Sequence, residues 1–110
     1  MITDEHYFGY WAGHADVTLE RQAAASQMLK KVNALLDAAQ QQGVGLYFNP
    51  STGSYVAGGG SGGFRPQNYP TGRKFSGHKE GRSIDIYDPQ EALENWISQA
   101  DIADGGNTTL

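Results

Sequence analysis

A histidine and an aspartate, His78 and Asp85, stand seven residues apart in the segment SGHKEGRSID, residues 76–85. Imidazole nitrogen and carboxylate oxygen both bind zinc at about 2.0 Å, so the pair would supply half of a tetrahedral site. Gly81 lies between them, and glycine lets the backbone reverse direction without a steric penalty. The pattern predicts a turn that brings both side chains to one point. Taken alone, a histidine is more often a core or surface residue than a ligand.

The residues after this turn indicate a short buried strand. Ile84 and Ile86 alternate with Asp85, and alternate residues of a strand point to opposite faces. Asp85 is therefore expected to face away from the two isoleucines, where its carboxylate can meet the imidazole of His78.

A glycine-rich segment, residues 58–63, precedes Phe64, Arg65 and Pro66. No lysine and hydroxyl pair follows the glycines before a helix, which disfavours a phosphate loop. A linker is also disfavoured, because the flanking residues are too few to make two domains. We favour a loop facing the substrate, in which glycines let the backbone approach it closely. Arg65 can grip a carboxylate or carbonyl oxygen through two parallel hydrogen bonds; the alternative is a solvated loop arginine.

Both segments resemble signatures of the zinc-dependent D-alanyl-D-alanine carboxypeptidases and related peptidoglycan peptidases, a group that includes many phage endolysins. The first signature, S-x-H-x-x-G-x-[AS]-x-D, is matched at Ser76, His78, Gly81, Ser83 and Asp85. The second, S-G-[FYW]-R-P, resembles residues 61–66, and its arginine stands thirteen residues before the histidine. The resemblance covers about residues 13–97 and is sharpest between 61 and 88.

The resemblance implies a hedgehog/D,D-peptidase-like fold and zinc-dependent hydrolysis of a peptide bond in peptidoglycan stem peptides. The enzyme would be a D,D-carboxypeptidase or an endolysin-type endopeptidase that degrades the cell wall. His78 and Asp85 would hold zinc, and Arg65 would contact the substrate near the scissile bond, as the candidate catalytic and substrate-binding residue. Ser76 is a second substrate-binding candidate that could instead orient His78, although a serine opening a turn needs no function.

A catalytic zinc generally keeps three protein ligands, and peptide hydrolysis needs a general base. In the resembled family the third ligand, a histidine in a W-x-H-like element, and the catalytic glutamate lie well downstream of the aspartate. No histidine follows His78 in this chain. We therefore expect one peptidase-like domain over residues 1–110 that lacks the C-terminal part of the family domain. His6 and His14 are substitute ligands in principle, although neither stands in a ligand pattern.

Two other interpretations stay open. In the first, the chain is a truncated or non-catalytic murein-binding module that retains the metal motif. In the second, it is a virion structural component with an incidental zinc pair. For the enzyme, a further segment or a second copy of the chain would have to complete the site.

The amino-acid composition limits the kinds of partner and site that this protein can have. The absence of cysteine excludes disulfides and thiolate metal sites, and a net charge of −4 with a pI near 5.1 argues against nucleic acid. No apolar run approaches the roughly 20 residues needed to span a bilayer, and no secretory signal is visible. A wall-degrading enzyme of this kind would reach its substrate through a phage holin, a virion or host lysis.

The elements expected to position these residues belong to the α+β class, as a small antiparallel sheet with a long N-terminal helix and a second capped helix. The long helix should run from Leu19 to Gln42, with Thr18 as N-cap and Gly43 as C-cap. Its buried stripe follows three-four spacing. The residues of this stripe are Ala25, Met28, Leu29, Val32, Leu35, Leu36 and Ala39.

The remaining elements are shorter. The aromatic segment from His6 to Trp11 is expected to form a short helix or a lid. Val44 to Asn49 and Ser54 to Ala57 should pair as a hairpin over a proline-to-glycine turn. Asp88, Pro89 and Glu91 predict a capping box that opens a helix from Pro89 to Ala100, while the tail from residue 101 to 110 should fray.

Overall fold

The computed structural model describes residues 1–70, 77–97 and 107–110, and the backbone of residues 103 and 104. Within them the fold is of the α+β class. The elements in chain order are α1 (Asp4–Phe8), a 3-10 helix (Gly9–Trp11), α2 (Leu19–Gln41), β1 (Asp85–Tyr87), α3 (Ala92–Ile97), β2 (Ala103–Asp104) and β3 (Asn107–Thr109). Helix α1 and the 3-10 helix confirm the short helix that was expected at His6 to Trp11.

Helix α2 begins and ends close to where the sequence places it. The Thr18 hydroxyl accepts the Arg21 N–H at 3.2 Å, which satisfies a donor of the first turn. At the other end Gly43, with φ of +82°, closes a Schellman motif in which the Val44 N–H donates to the Ala39 carbonyl at 3.0 Å. None of the helices in the described parts of the chain is long and apolar enough to cross a membrane.

The hydrophobic core lies against the predicted stripe of α2. Ala25, Leu29, Val32, Leu36 and Ala39 are buried, and Met28 and Leu35 are partly buried. Phe8 of the short N-terminal helix and Phe64, which follows the glycine-rich segment, belong to the same core, with their rings 5.4 Å apart. Other buried apolar residues in the described parts of the chain include Ile2, Tyr7, Tyr55, Val56, Pro66, Ile84, Ile86 and Leu93.

Strand β3 is the centre of the sheet, between β1 and β2, and both pairings are antiparallel. The prediction that the tail frays is therefore wrong for residues 107–110. Thr108 is fully buried, and Leu110 and Ile84 exchange two backbone hydrogen bonds at 2.9 and 3.2 Å. Polar composition suggested a solvated end, but Thr108 and Thr109 are β-branched residues that suit a strand.

The expected hairpin is reduced to one bridge between Asn49 and Ser54, although the turn between them is formed. Side chains take the acceptors that a ladder would use. The Asn49 amide donates to the Ala57 carbonyl at 2.6 Å, and the Thr52 hydroxyl donates to the Val56 carbonyl at 2.9 Å. Short polar side chains thus compete with strand pairing here.

The capped helix begins later than predicted. Asp88 does cap α3, since its carboxylate accepts the Leu93 N–H at 3.1 Å and the Glu94 N–H at 3.0 Å. The prediction that Pro89 and Glu91 lie inside the helix is wrong, because α3 begins at Ala92. Asp88 also accepts the Thr108 hydroxyl at 2.8 Å, which holds it at the sheet, and the chain turns before the helix starts. The predicted end at Ala100 lies outside the described residues.

The turn at Gly81 is packed against α2, which gives a test of the fold. Gly81 has φ of +74°, and a Cβ there would lie 2.8 Å from the Arg21 carbonyl oxygen. Gly53 has a similar φ of +66° but open space around it. We expect Gly53→Ala to cost about 1–2 kcal/mol of unfolding free energy, from backbone strain alone, and Gly81→Ala to cost more. Urea unfolding measures both, and equal losses would contradict the close packing.

Candidate metal centre

The structure brings His78 and Asp85 together. His78 Nε2 lies 3.4 Å from Asp85 Oδ1, and both side chains are largely removed from solvent, with His78 8% exposed. Two ligands of a tetrahedral zinc ion, each about 2.0–2.1 Å from the metal, are about 3.3 Å apart. The separation of the two atoms therefore fits a shared zinc ion.

The other nitrogen of His78 fixes which atom can bind a metal. Nδ1 lies 2.8 Å from the Gly63 carbonyl oxygen, which can only accept a hydrogen bond, so Nδ1 carries the proton. A neutral imidazole then presents a bare Nε2 to a carboxylate oxygen. The contact becomes favourable with a second proton on the ring or with a metal cation at Nε2. Zinc-binding histidines usually donate their other ring N–H to a carbonyl or carboxylate in this way.

Asp85 is surrounded by donors. The Thr109 hydroxyl donates to Oδ1 at 2.7 Å, and Arg65 Nη2 donates to Oδ2 at 3.3 Å. Burial by itself raises the pKa of Asp85. When His78 is protonated, hydrogen bonds from His78 and Thr109, together with the positive charges of His78 and Arg65, outweigh burial and lower the pKa of Asp85 below its usual value. The carboxylate is therefore ionised at neutral pH, as a metal ligand must be.

Arg65 is anchored within the site. Its Nε donates to the Ser61 carbonyl at 2.7 Å, its side chain is 13% exposed, and its guanidinium lies 5.7 Å from the centre of the Tyr69 ring. The ring of Trp11 meets Tyr69 edge to face at 6.2 Å. The alternative of a solvated loop arginine does not describe this side chain. The guanidinium lies beside the His78–Asp85 pair and next to the ring of Tyr69, which in turn contacts the ring of Trp11.

The glycine-rich segment supplies the carbonyls that hold the site. Besides accepting from Arg65 and His78, it accepts the Asp85 N–H at the Gly62 carbonyl, 2.6 Å away. Side chains do not fit there, because a Cβ on Gly63 would lie 2.0 Å from the Tyr7 carbonyl oxygen. The segment is thus a packed support rather than a linker, and its glycines are required for close backbone approach.

The other candidate ligands lie elsewhere. His6 takes part in the capping box of α1, and His14 Nδ1 accepts the Asp16 N–H at 3.0 Å. Among residues 1–70, 77–97 and 107–110, no three histidine, cysteine, aspartate or glutamate side chains form a group that could hold a metal. Ser76 lies outside the described residues.

Thr109 is the site residue that sequence reasoning missed. It stands in a polar tail with no recognisable motif, and its role depends on the pairing of β3 with β1. The β-branched pair Thr108 and Thr109 was the available signal for a strand. Nothing in the sequence alone could indicate which strand it would join.

A scan against models of protein families, a search of curated proteins and a search of solved structures each found no match to this chain. The assignment of the site therefore rests on the contacts above and on the two short motifs.

The lowered pKa of Asp85 predicts a pH-dependent contribution to stability in metal-free protein. A carboxyl group whose pKa is lower in the folded state stabilises the fold above its unfolded pKa of about 3.9, and loses this contribution as pH falls through the folded value. Asp85→Asn lacks that titration. In the presence of a chelator, we expect wild type to be more stable than Asp85→Asn at pH 7, and the difference to shrink steadily below about pH 4. Urea unfolding over this range measures it, and a constant difference would contradict the pKa shift.

Proposed function

We propose that this chain carries the zinc-binding and substrate-binding residues of a peptidase that hydrolyses a peptide bond in peptidoglycan stem peptides, within a hedgehog/D,D-peptidase-like fold. The observation that supports it best is the geometry of the pair. His78 Nε2 and Asp85 Oδ1 lie 3.4 Å apart, and Nδ1 is held by the Gly63 carbonyl. The S-x-H-x-x-G-x-[AS]-x-D and S-G-[FYW]-R-P motifs connect that geometry to the peptidase family.

Each residue has a defined task in this proposal. Zinc, when bound, polarises a carbonyl and lowers the pKa of a water molecule. His78 presents Nε2 because its other nitrogen is occupied, and Asp85 presents Oδ1 because Arg65 takes Oδ2. Arg65 uses Nε and one Nη2 contact within the described residues, so other N–H groups of its guanidinium remain to grip a substrate carbonyl or carboxylate.

Turnover requires more than these residues. Within one copy, the described residues place no third histidine, cysteine, aspartate or glutamate ligand beside the pair. In this proposal, the third ligand and the general base are supplied by a further segment or by a second copy of the chain. The second candidate function is a non-catalytic murein-binding or virion structural module. In such a module, the His78–Asp85 pair and the anchored Arg65 would hold or bind murein without turnover.

The zinc proposal predicts about one zinc ion per chain in purified wild-type protein, by elemental analysis after dialysis. His78→Ala should lose this zinc, because it removes the only buried imidazole beside Asp85 among the described residues. His14→Ala is the matched control, since it removes a histidine outside the pair. Wild type without zinc, or zinc that survives in His78→Ala, would remove the central claim. Circular dichroism checks that both variants fold.

Arg65→Ala separates substrate binding from metal binding. We expect it to keep zinc, because the ligand atoms belong to His78 and Asp85, and to release stem peptide from purified peptidoglycan about 100-fold more slowly. For a binding module, wild type would sediment with peptidoglycan without releasing peptide, and Arg65→Ala would sediment less. Loss of zinc in this variant, or unchanged release and sedimentation, would contradict the assigned role.

A further inference from the structure

The two oxygens of the Asp85 carboxylate have different surroundings. Oδ1 faces His78 Nε2 at 3.4 Å and accepts the Thr109 hydroxyl at 2.7 Å. Oδ2 accepts from Arg65 at 3.3 Å. Since a carboxylate oxygen has two lone pairs, Oδ1 can accept from Thr109 and still bind a metal. The hydroxyl therefore acts on the oxygen that faces the imidazole.

The position of Thr109 is set by the backbone of the sheet. Thr109 is the direct cross-strand partner of Asp85, 24 residues away in the sequence. Directly opposed residues have Cβ atoms about 4.5–5.5 Å apart, so a short hydroxyl side chain can reach the carboxylate. The two Ile84–Leu110 backbone hydrogen bonds hold this end of the pairing. The Thr109 hydroxyl therefore reaches Asp85 only when β3 is paired with β1.

We propose that Thr109 is a positioning residue for the metal ligand Asp85, and that zinc binding is coupled through it to the docking of strand β3 on β1. This inference rests on the proposed zinc site. The Thr109 hydrogen bond restricts the rotation of the carboxylate and holds Oδ1 toward His78 before any metal arrives. Removing such an outer-shell partner typically weakens metal binding by about 10–100-fold.

The coupling acts in both directions. If docked β3 favours the metal-binding arrangement of Asp85, bound zinc must favour docked β3 by the same factor. The amides of Ile84 and Leu110 report on this docking, because each donates to the carbonyl of the other. Zinc should slow their hydrogen exchange, and should do so less in a variant without the Thr109 hydroxyl.

Thr108 offers a matched control in the same strand. Its side chain points to the opposite face, where its hydroxyl donates to Asp88 Oδ2 at 2.8 Å and not to the metal pair. Thr108→Val removes a fully buried hydroxyl from β3 and leaves the donor to Asp85 in place. Thr109→Ser keeps a hydroxyl at the position that matters. Together they separate loss of the donor from general weakening of the sheet.

The experiment measures the zinc affinity of the whole chain by competition with a chromophoric chelator, using zinc ion alone as the probe. We expect Thr109→Val to weaken binding about 10–100-fold, and Thr109→Ser and Thr108→Val to stay close to wild type. Hydrogen exchange at the Ile84 and Leu110 amides, with and without zinc, gives the second readout.

Unchanged affinity in Thr109→Val, or an equal loss in Thr108→Val, would overturn the positioning role while leaving the zinc site intact. Zinc protection of the two amides that survives in Thr109→Val would overturn the coupling. If wild type binds no zinc, or if His78→Ala binds zinc with the same affinity as wild type, the zinc site on which the inference rests would instead be overturned. The two kinds of failure are therefore distinguishable.

Discussion

The hydrogen bonds accepted by the carbonyls of residues 61–63 are the constraint on which the site depends. These three carbonyls hold, in order, the Arg65 guanidinium, the Asp85 backbone and the His78 ring. Each needs the main chain to pass close to another element, and side chains at positions 62 and 63 would prevent it. The glycines thus convert a sequence motif into a rigid support, because backbone carbonyls in a packed segment cannot turn away from their donors.

Much of the site could be predicted from local sequence. The turn at Gly81 and the alternation around Asp85 were sufficient to predict that His78 and Asp85 lie together, since both effects act over a few residues. The long helix was predictable for the same reason, from its spacing and from Thr18 and Gly43. Local rules succeed where backbone preference and burial agree within one element.

What could not be predicted depends on contacts between distant segments. Strand β3 pairs with β1 and β2, and its Thr108 and Thr109 hydroxyls donate to Asp88 and Asp85, which come within reach only once the chain has folded. The Asp88–Thr108 contact also bears on the start of α3, because the Asp88 carboxylate accepts hydrogen bonds from both the sheet and the helix. At Asn49 and Thr52, side chains replaced the ladder that the apolar pattern suggested. Contacts between distant segments thus decided the first two features, whereas local side-chain hydrogen bonds replaced strand pairing at Asn49 and Thr52.

The charge arrangement of this cluster suits a structural ion pair and a metal centre alike. Arg65 alone could neutralise Asp85, yet it takes Oδ2 and leaves Oδ1 facing the imidazole. With Nδ1 committed to the Gly63 carbonyl, the remaining contact brings a lone pair against a carboxylate unless a proton or metal cation is present. A protonated imidazole can donate Nδ1–H to Gly63 and Nε2–H to Asp85 at the same time, whereas a neutral imidazole needs a metal cation between Nε2 and Oδ1. The ring and the carboxylate are therefore arranged to share one positive charge, which either a proton or a metal ion can supply.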